Sequence, residues 1–144
     1  TDERELGRLS EQGRVIELRA YHTVHGIWNY FTVDDGQVDL AHYNYLTVGT
    51  LQSYAAMRRH FGDRALVPIY LEVDDGERLQ RALDRERSQA RPKYAELCRR
   101  FLADEADFSE EKIRNAGIRR RFENVGLQAC MEEIRAYIRS EINE

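Results

Sequence analysis

VPIYLEVDDGERLQRALDRERSQARPKYAELCRRFLADEADF, residues Val67–Phe108, is the stretch on which the reading of this chain turns. It opens with Val67-Pro68-Ile69-Tyr70-Leu71, a short apolar run rich in residues that favour strands. Asp74-Asp75-Gly76 then signals a turn or a helix entry. A helical pattern crowded with Arg78, Arg81, Arg85 and Arg87 follows, and after Pro92 come Arg99 and Arg100. Arg81 and Arg85 are four residues apart and so share one helix face. Arginine presents a planar fork of donors that fits phosphate oxygens. A strand feeding two arginine-bearing helices therefore fits closure over a polyphosphate. The same charges, interleaved with Asp84, Glu86 and Glu96, also fit a solvated, ion-paired helix.

Around this stretch, strand and helix patterns alternate, which predicts an α/β chain with a parallel sheet. Before it the spacing predicts a helix over Glu3–Gln12 stopped by Gly13, then strands at Arg14–Tyr21 and Ile27–Val33. Asp34-Asp35-Gly36 is a tight-turn signal that would pair Ile27–Val33 with Gln37–Leu40 as a hairpin. Tyr45–Val48 reads as a buried strand, Leu51–Phe61 as a helix and Leu66–Val73 as the clearest strand. Helices are expected at Gly76–Ser88 and Pro92–Ala106, and a short one at Ser109 ended by Gly117. A strand at Arg121–Asn124 and an amphipathic helix at Gln128–Ile142 complete the pattern.

A length of 144 residues suits one domain. With 42% hydrophobic and 33% charged residues the composition is that of a folded globular chain, not a disordered one. The net charge of −4 argues against a strongly basic nucleic-acid binder. No apolar run is long enough to span a bilayer, and no signal-peptide pattern is present. Cys98 and Cys130 lack metal-ligand spacing, and two free thiols suit a reducing, cytoplasmic compartment.

The order of segments resembles guanylate kinase, a nucleoside monophosphate kinase of the P-loop class. The likeness runs from TDERELGRLSEQGRVIE (1–17) through His25-Gly26, NYLTVGTLQSY, VPIYLEV and the arginine-rich stretch to FENVGLQACMEEIRAYI. It implies a P-loop NTPase-like parallel sheet flanked by helices, with a small acceptor-binding β region over 14–50 and a lid over 76–108. It also implies ATP and Mg2+ as cofactors, GMP or a related nucleotide as acceptor, and no nucleic acid or membrane partner. The chain contains no Gly-x-x-x-x-Gly-Lys-Ser/Thr run and no Thr-Thr-Arg-type segment. The resemblance places both before Thr1, so the chain is expected to be the C-terminal part of such a protein and inactive alone. The central P-loop strand would then be absent between Tyr45–Val48 and Leu66–Val73. Each of those strands should lack a neighbour, leaving a gap or a place for another segment.

Glu17 lies in an alternating strand pattern, where a carboxylate can accept two hydrogen bonds from a base edge or simply face solvent. The resemblance implies that Glu17 reads guanine. It places His25 where the family has a phosphate-holding Tyr; histidine can donate there too, with a charge that depends on pH. It aligns Thr47 and Gly49, followed by Thr50, with the family's Asp-x-Asp-x-x-Gly, so the two carboxylates expected for guanine and for metal handling are missing. Asp34, Asp35 and Asp39 either compensate or form an acidic surface turn. Arg81, Arg85 and Arg100 match the catalytic arginines around the family's lid, with Arg87 and Arg99 as neighbours. Asn124 matches the turn that abuts adenine, or is a turn or capping residue. Two further readings remain: a protein-interaction module with a damaged nucleotide site, and a kinase for another phosphorylated acceptor.

Overall fold

A computed structural model describes residues 3–23 and 26–142; the side chains of Tyr21, His22 and Thr23 are excepted. The chain divides into two compact units, 1–66 and 67–144, and each is described by itself. Among the described residues the fold is mixed α/β, with one antiparallel and one parallel strand pair. No helix among them is long and apolar enough to cross a membrane.

Unit 1 starts with helix α1 (Glu3–Glu11), whose Leu9 is buried. Gly13, at φ 67°, takes the left-handed conformation that lets the chain leave the helix. Strands β1 (Val15–Thr23) and β2 (Gly26–Val33) then pair antiparallel, with Glu17 opposite Thr32 and Arg19 opposite Tyr30. A bulge between Val15 and Glu17 shifts the register at the start of β1. Helix α2 (Leu51–Phe61) packs on β1 and buries Ser53 and Ala56. Its first turn is capped by Thr50, whose hydroxyl accepts from the Ser53 N–H at 3.3 Å.

Two expected strands of this unit are not strands. Gln37–Leu40 does not pair with β2, which takes β1 as its partner. The Gln37 N–H donates instead to Asp35 Oδ1 at 3.1 Å, a turn bond that removes a donor a ladder would need. Tyr45–Val48 is an open loop. The Tyr45 hydroxyl clamps that loop, accepting from the Asp39 N–H and donating to the Gln37 carbonyl. Leu46 and Val48 are 83% and 99% exposed, so the apolar character that suggested a buried strand finds no cover. Backbone groups in an isolated apolar segment have water as their partner, and nothing then favours an extended ladder.

Unit 2 contains β3 (Tyr70–Glu72), α3 (Asp75–Arg87), α4 (Tyr94–Asp107), α5 (Glu110–Asn115), β4 (Arg121–Glu123) and α6 (Leu127–Ile142). Strands β3 and β4 are parallel neighbours, with Leu71 opposite Phe122. Three helices intervene in sequence, which supplies the long crossover that parallel pairing requires. Strand β3 is shorter than its apolar run because Pro68, near its start, has no N–H to donate. Leu97, Ile113, Ile118, Phe122 and Cys130 form the buried core. Phe122 is fully buried, and its ring lies 5.4 Å from that of Tyr137 on α6.

Candidate functional site: an arginine cleft between two helices

Helix α3 begins directly after β3. The Asp74 carboxylate caps it, accepting from the Glu77 N–H at 3.1 Å. Acidic Asp75 and Glu77 sit in its first turn and basic Arg85 and Arg87 in its last, as the helix dipole favours. Arg78, Arg81, Ala82 and Arg85 follow the three- and four-residue spacing of a single face. Helix α4 answers with Leu97, Arg100, Phe101 and Asp104 at the same spacing. The two faces, with Val73 and Glu86, line a cleft of about 280 Å³. Four guanidinium groups thus share one small space with two carboxylates.

The arginines differ in how far they are engaged. Arg78 donates to Asp75 at 3.0 Å and to Glu105 at 2.7 Å, and stacks 4.1 Å over the Phe101 ring. Arg81 donates to Glu77 at 2.7 Å and to the Asn124 carbonyl at 3.0 Å. Arg100 lies 3.8 Å from Glu86 and 3.7 Å from Glu96, beyond hydrogen-bond distance of both. Arg85 has no ion pair among the described residues. Donors of Arg85 and Arg100 are therefore open to an incoming anion. Arg87 and Arg99 do not line the cleft; they pair with Asp84 and Glu96 on their own helices.

Glu86 is the buried carboxylate of the site, at 3% exposure. Its Oε1 accepts from the Lys93 N–H at 2.5 Å, across the turn between α3 and α4. That bond caps α4, for which the Lys93 side chain provides no capping bond. Arg78, Glu86 and Asp104 also line the cleft, although sequence order does not single them out as site residues. The spacings 78/81/85 and 97/100/104 carried the signal for Arg78 and Asp104, whereas Glu86 had looked like part of a solvated charge run.

The remaining candidates fall elsewhere. The backbone of Asn124 receives Arg81 and donates to the Glu72 carbonyl at 2.8 Å, which holds it against the parallel pair. Glu17, in unit 1, is only 9% exposed, so it is not the solvent-facing strand carboxylate that alternation allowed. Its Oε1 accepts from the Thr32 hydroxyl at 3.1 Å, and its Oε2 lies 3.3 Å from Arg19 Nε. Thr47 is an exposed loop residue. His25 lies outside the described residues. Asp34, Asp35 and Asp39 are occupied by His60, Gln37 and His42 respectively, as turn and loop residues.

A second charged centre braces the parallel pair. Arg121 donates to Glu72 at 2.7 Å and, through both terminal nitrogens, to Glu110 at 2.7 and 2.6 Å. These hydrogen bonds raise the Arg121 pKa and hold the Glu110 carboxyl below its ordinary 4.5. A carboxyl with a depressed folded pKa stabilises the fold above its unfolded value and loses that contribution as pH falls through the folded one. Stability is therefore expected to fall as pH drops below 4.5, and Glu110→Gln to flatten that part of the profile. Urea unfolding midpoints from neutral pH to about 3 check this; an unchanged slope in the variant would refute the assignment.

Among the described residues no cluster of three or more His, Cys, Asp or Glu side chains could hold a metal ion. Comparison of the chain with family models, curated proteins and solved structures returns no match.

Proposed function

We propose that this chain carries the lid and acceptor portions of a guanylate-kinase-type phosphotransferase, which moves the γ-phosphoryl group of ATP to GMP or a related nucleotide in the cytoplasm. The observation that supports this reading is the cleft: Arg81, Arg85 and Arg100, chosen from sequence order, line one cavity at the end of a strand of a parallel pair. In-line phosphoryl transfer is catalysed chiefly by positioning and by stabilising charge on the moving group, which is what clustered arginines supply. The finer fold in this reading is a P-loop NTPase-like sheet, of which β3 and β4 are two strands.

The residues fit phosphate better than they fit metal. The arginines would hold ATP phosphates, and the Asn124 turn beside Arg81 would meet the base. ATP supplies the phosphoryl group when bound. Thr47 and Gly49 stand where the resemblance calls for carboxylates, and among the described residues no group of three or more His, Cys, Asp or Glu side chains could hold Mg2+.

The test is a coupled assay with ATP and GMP. Residues 1–144 alone should show no turnover above background, since no run in them can wrap the donor phosphates. A protein that adds a Gly-x-x-x-x-Gly-Lys-Ser/Thr loop ahead of them should show GMP-dependent turnover. Silence there would favour the second reading, a protein-interaction module. Its support is the missing carboxylate pair together with the bare apolar side chains of Leu46 and Val48.

A further inference from the structure

We propose that Glu86 is the positioning residue for Arg100, coupling the shape of the α3–α4 turn to the charge presented in the cleft. This rests on the cleft being a phosphate site. Glu86 has two carboxylate oxygens with two tasks. One accepts the Lys93 N–H at 2.5 Å and fixes where α4 begins. The other faces Arg100 Nη2 at 3.8 Å. Arg100 has a competing partner in Glu96, one turn back on α4, at 3.7 Å, a carboxylate that also accepts two hydrogen bonds from Arg99. Glu96 is far more exposed than Glu86, whose side chain is 4% exposed against 44%.

The physical consequence is directional. A charge in a partly desolvated wall attracts more strongly than one in water. Glu86 therefore draws the Arg100 guanidinium inward, while Glu96 draws it along the outer face of α4. The inward ion pair stays longer than a hydrogen bond, so Arg100 keeps donors for an incoming phosphate. Without the Glu86 charge, Glu96 takes Arg100 and the cleft loses one of its two unengaged arginines.

Simple electrostatics predicts the opposite sign, and this makes the idea testable. Removing a negative charge from an anion site should tighten anion binding if charge alone matters. If Glu86 positions Arg100, its removal should weaken binding. The probe is inorganic tripolyphosphate, which has no base or sugar and draws its affinity from the cleft alone. Calorimetric titration of the whole chain should give binding that Arg100→Ala weakens about tenfold and Glu86→Gln about threefold. In the Arg100→Ala background there is no guanidinium to position, so Glu86→Gln should leave binding unchanged or tighten it. Glutamine can still accept the Lys93 N–H, so hydrogen exchange at Lys93 should stay slow in Glu86→Gln and become fast in Glu86→Ala.

Tighter or unchanged binding in Glu86→Gln, or an equal loss in both backgrounds, overturns the positioning role alone. No binding by the unaltered chain, or binding indifferent to Arg100→Ala, overturns the phosphate reading and this proposal with it. Should Glu86→Gln not fold, Glu96→Gln decides. The proposal expects it to leave tripolyphosphate affinity unchanged or higher, and a loss would assign the positioning to Glu96 instead.

Discussion

Arg100→Ala, in a protein that supplies the donor loop, is expected to lower kcat by roughly 10²–10³-fold while KM shifts by less than about threefold. The reason lies in how lightly Arg100 is held. Its two carboxylate neighbours stand at 3.8 and 3.7 Å, so its donors are not spent in the resting protein. A contact that strengthens only as charge develops on the moving phosphoryl group lowers the barrier without tightening substrate binding. A nucleotide held by loop and base contacts would meet Arg100 fully only as charge develops, whereas free tripolyphosphate can settle directly against it, so KM should move less than tripolyphosphate affinity does. Arg81 offers a comparison, since Glu77 and the Asn124 carbonyl already engage it. Steady-state kinetics with ATP and GMP read the split. A change confined to KM would make Arg100 a ground-state binding residue and remove it from the chemistry.

The second large effect is on stability. Phe122→Ala should destabilise unit 2 by about 3–5 kcal/mol, the usual cost of emptying an aromatic site in a packed core. Phe122 is fully buried in β4, beside Tyr137 on α6 and under the Arg120 guanidinium at 5.0 Å. Its loss would open a cavity between the parallel pair and the last helix, where α6 packs on β4. Val48→Ala is the matched control, because an apolar residue 99% exposed has no packing to lose. That change should stay within about 0.5 kcal/mol. Urea unfolding of both variants settles the comparison. A similar cost at the two positions would mean that Val48 is covered in solution, and a small cost at Phe122 would mean that Phe122 is not packed in the core of unit 2.

Local rules made much of this chain legible before any coordinates. The Leu51–Phe61 helix has the bounds that its pattern predicts, and the structure shows the local groups that fix them, Thr50 capping its start and Gly62 ending it. Helices α3, α4 and α6 lie within about two residues of the spans that their periodicity predicts. The arginine spacing along α3 is likewise a property of helix pitch, so Arg81 and Arg85 could be placed on one face from sequence.

Strand partners were another matter. A strand is defined by a neighbour that local sequence does not name, so β2 could be paired with the wrong segment and the loop at Tyr45–Val48 mistaken for a strand. The cleft also needed the fold. Helical spacing can align Leu97, Arg100, Phe101 and Asp104, but only the packing of α4 on α3 turns that face toward Arg78, Arg81 and Arg85. Glu86 shows the division most plainly. In sequence it is one charge in a run of charges, and burial became affordable for it only once the chain had turned at Ser88 and brought the Lys93 N–H and Arg100 to its two oxygens.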